Sequence, residues 1–276
     1  LGAFGVWATA YALGEDELGR AAALVERLGY GTFWLGGSPR LAQVRPLLEA
    51  TERLTVGTGI VNVWTYEPAE LAAEYAALER DFPGRLLVGI GIGHPEATSE
   101  YRRPLAAMQE FLDGLDAAAE PLPAGRRCLA ALAPRMLALA GERSRGAIPY
   151  FVPVAHTAAA RAALGPGPLL APEVAVAVTG GEADRRAAVR AYAGRYLRLR
   201  NYVGNLLRHG FDEADVAAGG SQRLLDAVVP QGSAADVAPA IRAHLEAGAD
   251  HVAVQALGEP GVPERGWTAL ARELIG

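Results

Sequence analysis

The chain has one cysteine, Cys128, in 276 residues. That excludes an internal disulfide and fits a reducing, cytoplasmic setting. No apolar run reaches the roughly 18 residues of a membrane span, so a membrane partner is not expected. The N-terminus lacks the basic start and cleavage site of a secretory signal. The net charge is −5, and no basic cluster is long enough to track a phosphate backbone, so nucleic acid is an unexpected partner. The five histidines stand at 94, 156, 209, 244 and 251. They are too scattered for a metal-ligand set, and the first strand carries no HxH. There is no GxSxG elbow for a serine nucleophile. No GxGxxG follows the first strand, where the sequence is ATAYALGED. Cys128 lies in an apolar segment, where a thiol is inert. With these chemistries absent, a borrowed cofactor is the expected source of reactivity, and the protein supplies shape and orientation to a small-molecule substrate.

What the chain does have is concentrated between Leu54 and His94. The segment reads LTVGTGIVNVW, TYEPAELAAEYAALERDFPGR and LLVGIGIGHP. The outer two parts are apolar on both faces, as parallel strands covered by helices on each side should be. Between them Leu71, Ala72, Tyr75 and Leu78 recur at helical spacing. Small or polar residues end both strands: Asn62 on the first, and Gly91, Gly93 and His94 on the second. In α/β barrels that carboxyl edge holds the ligand.

The same alternation runs through the rest of the chain. Strands are predicted over Phe4 to Thr9, Thr32 to Leu35, CLAAL from Cys128, about Ala147 to Val154, Glu173 to Val178, and HVAVQAL from His251. Helices are predicted over Glu15 to Leu28, Leu41 to Thr51, Tyr101 to Ala118, from Pro134, and Thr157 to Leu164. Gly29 terminates the first helix, and Pro134 stands where a helix start favours proline. Eight strands alternating with helices predict a (β/α)8 TIM barrel, formed as one domain over residues 1–276. The rival is a doubly wound open sheet, which usually has fewer strands and a glycine-rich first turn. The core is ample, with 51% hydrophobic residues. Between Val178 and His251 the chain is longer than a barrel needs. It contains a helical stretch from Glu182 to about Leu207, a loop at AAGGSQ and a helix from Ala234 to Glu246. This predicts a helical insertion between strands 7 and 8, acting as a lid or an oligomer contact.

Several stretches, in this order and spacing, resemble the luciferase-like monooxygenase superfamily. They are "LGYGTFWLGG", "ERLTVGTGIVNVW" and "EPAELAAEYAALERDFPGRLLVGIGIGHP". Within it they are most similar to the actinobacterial oxidoreductases that use the deazaflavin coenzyme F420. "YRRPLAAMQEFLDGLDAA", "LAALAPRMLALA", "GPGPLLAPEVAV", "RYLRLRNYVGNLLRHGF" and "AGADHVAVQAL" extend the likeness over essentially the whole chain. The resemblance implies a hydride-transferring oxidoreductase, F420 as cofactor, and a homodimer or higher homo-oligomer. An FMN-dependent monooxygenase and a non-catalytic flavin- or deazaflavin-binding protein are the alternatives.

The resemblance also implies site residues. A non-prolyl cis peptide at Gly59–Ile60 would back the tricyclic ring, although Gly59 could simply ease packing. Asn62 would hydrogen-bond the edge of the ring, or else serve as a turn residue. Gly91 and Gly93 would let a flat ring approach the backbone. His94 falls where some relatives place an acidic proton donor, so it is the candidate catalytic residue; otherwise it lines the pocket. Ala133, Pro134, Arg135 and Met136, at a helix start, would bind the coenzyme phosphate through backbone amides, with Arg135 adding charge. This turn has Leu132 and Ala133 where relatives often have glycine. Thr179, Gly180 and Gly181 form a second candidate anion site. Strand 2 ends in Gly36, Gly37 and Ser38, without the acid and histidine found there in sugar-phosphate dehydrogenases of the superfamily. That activity is therefore not carried over. Trp7 and Trp64 are candidate pocket walls or packing residues.

Overall fold

Strands that are apolar on both faces need helices on both sides. The computed structural model of the chain, which describes residues 1–96 and 101–276, provides that cover. The first half runs β1 (Phe4–Thr9), α1 (Ala10–Leu13), α2 (Leu18–Arg27), β2 (Thr32–Gly36), α3 (Arg45–Glu49), β3 (Thr55–Gly59), β4 (Val61–Asn62), α4 (Pro68–Asp81), β5 (Leu86–Gly91) and α5 (Pro104–Asp116). Then come β6 (Arg127–Leu129), α6 (Pro134–Arg143), β7 (Gly146–Ala147), α7 (Val154–Leu164), β8 (Leu169–Leu170) and β9 (Glu173–Val176). Five helices follow: α8 (Glu182–Tyr196), α9 (Arg200–Arg208), α10 (Glu213–Val216), α11 (Gln222–Val228) and α12 (Ala234–Glu246). The chain ends with β10 (Val252–Ala256) and α13 (Glu264–Leu274).

The strands pair in parallel in the order β8-β7-β6-β5-β3-β2-β1-β10-β9, with β4 also on β5. The two ends of this path are one run of chain, because only Ala171 and Pro172 separate β8 from β9. Across that gap the Ala171 N–H donates to Ala147 O at 2.9 Å, and the Ala253 N–H donates to Pro172 O at 3.0 Å. The sheet therefore closes. β3 and β4 are likewise one strand, interrupted at a cis Gly59–Ile60 peptide. Counted this way, the described residues form an eight-stranded α/β barrel, and the open-sheet alternative falls.

Local sequence explains the element boundaries. α2 ends before Gly29, whose φ of 89° suits glycine. α4 starts at Pro68, which lacks an N–H where the helix needs none. It buries Leu71, Ala72, Tyr75 and Leu78, the four residues read from its periodicity. The strand expected over 147–154 is regular only at Gly146–Ala147; the Ile148 N–H still donates to Leu129 O and Pro149 O accepts the Glu173 N–H, but Pro149 and Pro153 have no N–H to continue the ladder. The helix after it starts at Val154 rather than Thr157, and the next strand segment starts at Leu169 rather than Glu173. The helical run expected from Glu182 to Leu207 breaks between Tyr196 and Arg200.

Three of the five histidines are core residues. In His251, Nδ1–H donates to Gly2 O at 2.8 Å, and Nε2 accepts the Trp34 indole N–H at 3.1 Å. His244 Nδ1 lies 2.8 Å from the Thr157 hydroxyl, and His156 Nε2–H donates to Leu132 O at 3.1 Å. Burial lowers all three to a pKa of about 4, so they are neutral at pH 7. Cys128 is fully buried, and burial pushes its thiol up to about 12, which leaves it unreactive. Among the described residues no helix is long and apolar enough to cross a membrane, and no group of three His, Cys, Asp or Glu could hold a metal.

Candidate functional site

A cavity of about 510 Å³ opens at the carboxyl ends of the strands. Its floor is built from the barrel outward. Trp7, on β1, is 5% exposed and stacks on Trp34 at 6.3 Å. Its indole lies over two glycines. A Cβ on Gly59 would come within 2.1 Å of Trp7 Cη2, and one on Gly36 within 2.4 Å of Trp7 Nε1. Gly91 makes the same allowance for Ile60, whose Cδ1 would be 2.7 Å from an added Cβ. Glycine at these positions lets one indole and one isoleucine lie flat across the ends of β3 and β5. Trp7, Gly59, Ile60 and Gly91 all face the cavity.

Gly93 and His94 also line it, but Asn62 does not. The Asn62 Oδ1 accepts the Trp64 N–H at 3.1 Å, and its backbone O accepts the Thr65 N–H at 3.0 Å. Asn62 is thus committed to a turn behind the strand ends. Trp64 lies there too, donating its indole N–H to Ile92 O at 2.8 Å. Gly93, at φ 65°, passes next to Asn62.

The His94 ring packs against Tyr202 at a centroid distance of 5.0 Å. The Asn201 amide is 3.4 Å from Nδ1. Donation from that amide leaves the proton of a neutral ring on Nε2. Burial holds the His94 pKa below its ordinary value, against an opposing pull from Glu96. At pH 7 the ring is therefore neutral, with one N–H to offer. His94 is the one histidine of the five that reaches the cavity.

The opposite wall comes from residues that the sequence did not single out. The break between α8 and α9 sets Tyr196, Arg200, Asn201 and Tyr202 around the opening, and Arg208 follows one side of α9 into the same space. Tyr150, just after β7, joins them; its hydroxyl lies 2.8 Å from that of Tyr196. Tyr11 stands 73% exposed next to Gly37. The clue in the sequence was the crowding of tyrosines with Asn201 in "RYLRLRNYVGN". Read as one continuous helix, it could not place them on one side.

The expected phosphate turn is divided. Ala133 and Met136 line the cavity, whereas Pro134 and Arg135 do not, and Arg135 is exposed. Pro134 has no N–H, and the Met136 N–H already donates to Ala133 O at 3.0 Å. Ala133 and Arg135 keep amides without an acceptor among the described residues. The cations at the cavity are Arg200 and Arg208. The second candidate, Thr179 to Gly181, lies away from it. There the Gly181 N–H donates to Asp184 Oδ2 at 3.0 Å, so the chain's own carboxylate caps that helix start.

An eight-stranded α/β barrel with one cavity at its carboxyl edge defines a class in which ligands bind at the strand ends. Comparison agrees: residues 2–125 match the luciferase-like monooxygenase family model. The resemblance read from the sequence is thereby borne out. A protein from Microbacterium testaceum (strain StLB037) named F420-dependent glucose-6-phosphate dehydrogenase is 27% identical, over 36% of this chain and 37% of its own length. The match thus spans little more than a third of that relative. Among solved structures, an F420-dependent secondary alcohol dehydrogenase in complex with an F420-acetone adduct superposes with a TM-score of 0.76 at 16% identity, covering 99% of this chain and 98% of that one. The coenzyme F420-dependent tetrahydromethanopterin reductase from Methanopyrus kandleri gives 0.74, also at 16%, covering 99% and 98%. At these identities the likeness establishes the fold over the full chain.

Proposed function

We propose that this chain, as a single luciferase-like barrel domain over residues 1–276, is an oxidoreductase that moves a hydride between coenzyme F420 and an organic substrate. The observation that carries the reading is the cavity floor. Trp7 and Ile60 are laid flat by Gly36, Gly59 and Gly91, which suits a planar tricyclic ring, and Arg200 and Arg208 suit an anionic tail. The named relatives and structural neighbours point the same way. When bound, the deazaflavin supplies the hydride chemistry.

The chain's own residues do the rest. Gly59, Ile60, Gly91 and Gly93 support one ring face. The amides of Ala133 and Arg135, with Arg208, hold the phosphate, and Met136 closes that end. His94, neutral and donating from Nε2, polarises a carbonyl-type oxygen on the substrate. The tyrosine wall excludes water and orients the substrate, so proximity supplies much of the rate. Asn62 acts indirectly, by fixing the turn behind Gly93. At the strand-2 edge Gly37 and Ser38 line the cavity, where a sugar-phosphate dehydrogenase would need an acid and a histidine. The substrate is therefore a different one. The same reading makes the protein a cytoplasmic homodimer or higher oligomer, which light scattering would test.

Titration with F420 and with FMN, followed by intrinsic tryptophan fluorescence, tests the reading, because Trp7 lies at the ring site. Saturable quenching by F420, lost in Trp7→Phe, is expected. Quenching by FMN alone would favour the monooxygenase alternative. F420 binding without turnover of any carbonyl or alcohol would favour the binding protein.

A further inference from the structure

Among the described residues only two large apolar side chains are exposed, Ile275 just after α13 and Tyr11. Tyr11 is the one at the cavity, on α1 at its mouth, 73% exposed. Its ring packs on the backbone at Gly37, where an added Cβ would come within 3.0 Å of Tyr11 Cε1. Its hydroxyl has no hydrogen-bond partner, and its ring no stacking partner, among the described residues. A large aromatic face is thus left open where a ligand enters.

A string of rings runs from the floor up the opposite wall. Trp7 packs against Tyr150 at 5.1 Å, Tyr150 against Tyr196 at 5.1 Å, Tyr196 against Tyr202 at 5.3 Å, and Tyr202 against His94 at 5.0 Å. All five face the cavity. Tyr11 is near enough to Tyr196 to act on its ionisation, yet no ring contact joins the two. Tyr11 and the string therefore flank a gap, and both sides of it are aromatic.

Polar groups narrow the ligand further. Among the described residues no Asp or Glu lines the cavity. Arg200 is already drawn to Glu96, at 3.7 Å. Arg208 serves the coenzyme tail in the reading above, so a substrate with its own carboxylate or phosphate would compete with that tail. A sugar would set most of its hydroxyls against ring faces, and a buried hydroxyl left unpaired is costly.

We propose that the substrate is a neutral, flat, aromatic carbonyl compound, held in this gap, with Tyr11 as the residue that selects the aromatic ring. This rests on the hydride-transfer reading and adds the substrate class to it. The spacing suits a ring. Aromatic pairs settle with centroids about 4.5–7 Å apart, offset or edge-on, and the string already uses that range. His94 ends the string, so a carbonyl carried on the bound ring lies beside its Nε2–H. A saturated ring fills the gap by area alone and loses the aromatic pairing.

Acetylnaphthalene and its fully saturated counterpart, acetyldecalin, share a carbon skeleton and a carbonyl. They differ in whether the rings are flat and aromatic. Ligand-observed NMR titration of the F420-loaded protein should give acetylnaphthalene a Kd about tenfold lower, the upper worth of one aromatic pair. Tyr11→Leu keeps an apolar side chain at an exposed position that makes no hydrogen bond, so the fold is untouched. It should shrink the preference by about threefold or more and leave acetyldecalin unchanged. Tyr11→Phe should keep the preference. Glucose 6-phosphate, the third probe, should bind more weakly than either ketone. Equal or absent binding of the two ketones, a preference unmoved by Tyr11→Leu, or tighter binding of glucose 6-phosphate would overturn the proposal. F420 is titrated alone first. If it does not bind, the coenzyme reading fails, and the ketone comparison on the unliganded protein still decides the substrate class, because Tyr11 and the string belong to the chain itself. If F420 binds and the two ketones do not differ, only the substrate class fails.

Discussion

Gly59→Ala is the most direct test of how the cavity floor is built. An added Cβ would lie 2.1 Å from Trp7 Cη2, 2.3 Å from Cζ2 and 2.8 Å from Cζ3. Carbon atoms in contact want about 3.5–4.0 Å, so the indole must retreat by more than an ångström. It has little room to do so. Trp34 stacks behind it at 6.3 Å, and Tyr150 packs against it at 5.1 Å. Overpacking of this kind costs about 1–3 kcal/mol. The same movement tilts the indole into the ring site, so F420 affinity should fall with stability. Trp7→Phe removes the offending atoms. A double-mutant cycle by urea denaturation should therefore show Gly59→Ala costing about 1–3 kcal/mol with Trp7 present and under about 0.5 kcal/mol in the Trp7→Phe background. Full additivity of the two changes, or a wild-type midpoint for Gly59→Ala alone, would refute the floor.

The other predictions concern charge and protonation. His94→Gln should cut turnover by about 100-fold or more while F420 affinity changes little, since acid–base assistance is worth 10²–10⁴. The wild-type rate should change on acidification only at a pH below the ordinary histidine value, because burial lowers the His94 pKa, and the variant should lose that dependence. Ala133→Asp should weaken F420 binding measured by fluorescence, and added salt should weaken binding to the normal protein. Unchanged affinity in Ala133→Asp alongside a loss in Arg208→Ala would place the phosphate wholly on α9. Stability should fall as pH drops from about 6.5 toward about 4. His156, His244 and His251 are buried neutral with pKa values of about 4, whereas the unfolded chain takes up protons from about 6.5 downward. Urea midpoints across that window measure it, and a flat profile would contradict the neutral core histidines.

Most of the barrel was legible in the sequence because its signals are local. Unbroken apolar runs, a four-residue helical stripe at Leu71 to Leu78, and Gly29 and Pro134 at helix boundaries each act within one element. Chain closure was less legible. It depends on hydrogen bonds across Ala171 and Pro172, where one strand changes partner, and no periodicity reports that. Nor did length reveal how little of the stretch after Ala147 is regular strand, although Pro149 and Pro153 were the available warning. The site divided along the same line. Gly59, Ile60, Gly91, Gly93, His94, Ala133 and Met136 face the cavity because each follows a strand whose direction is set locally. Asn62, Pro134 and Arg135 stand at the same carboxyl edge but do not line the cavity. A side chain at the rim of a barrel points where its turn sends it, and the turn at Asn62 uses its own amide oxygen.

The half of the cavity that sequence reasoning missed is the half supplied at a distance. Tyr196, Arg200, Asn201, Tyr202 and Arg208 come from helices that follow β9, and only the break after Tyr196 turns them toward β5 and His94. The floor is fixed by strand-to-strand hydrogen bonds, so it can move only if the barrel does. The wall rests on side-chain packing among Tyr150, Phe151, Tyr192, Tyr196 and Tyr202, with ring centroids about 5–6 Å apart. Substitutions among the wall's aromatic residues should therefore change which substrate fits without changing how the coenzyme is held, whereas Arg208 serves the coenzyme's anionic tail. Substitutions in the floor should do the reverse. Glu173 belongs to both, since its backbone lies in a barrel strand and its carboxyl anchors the wall through Tyr192 and Phe151.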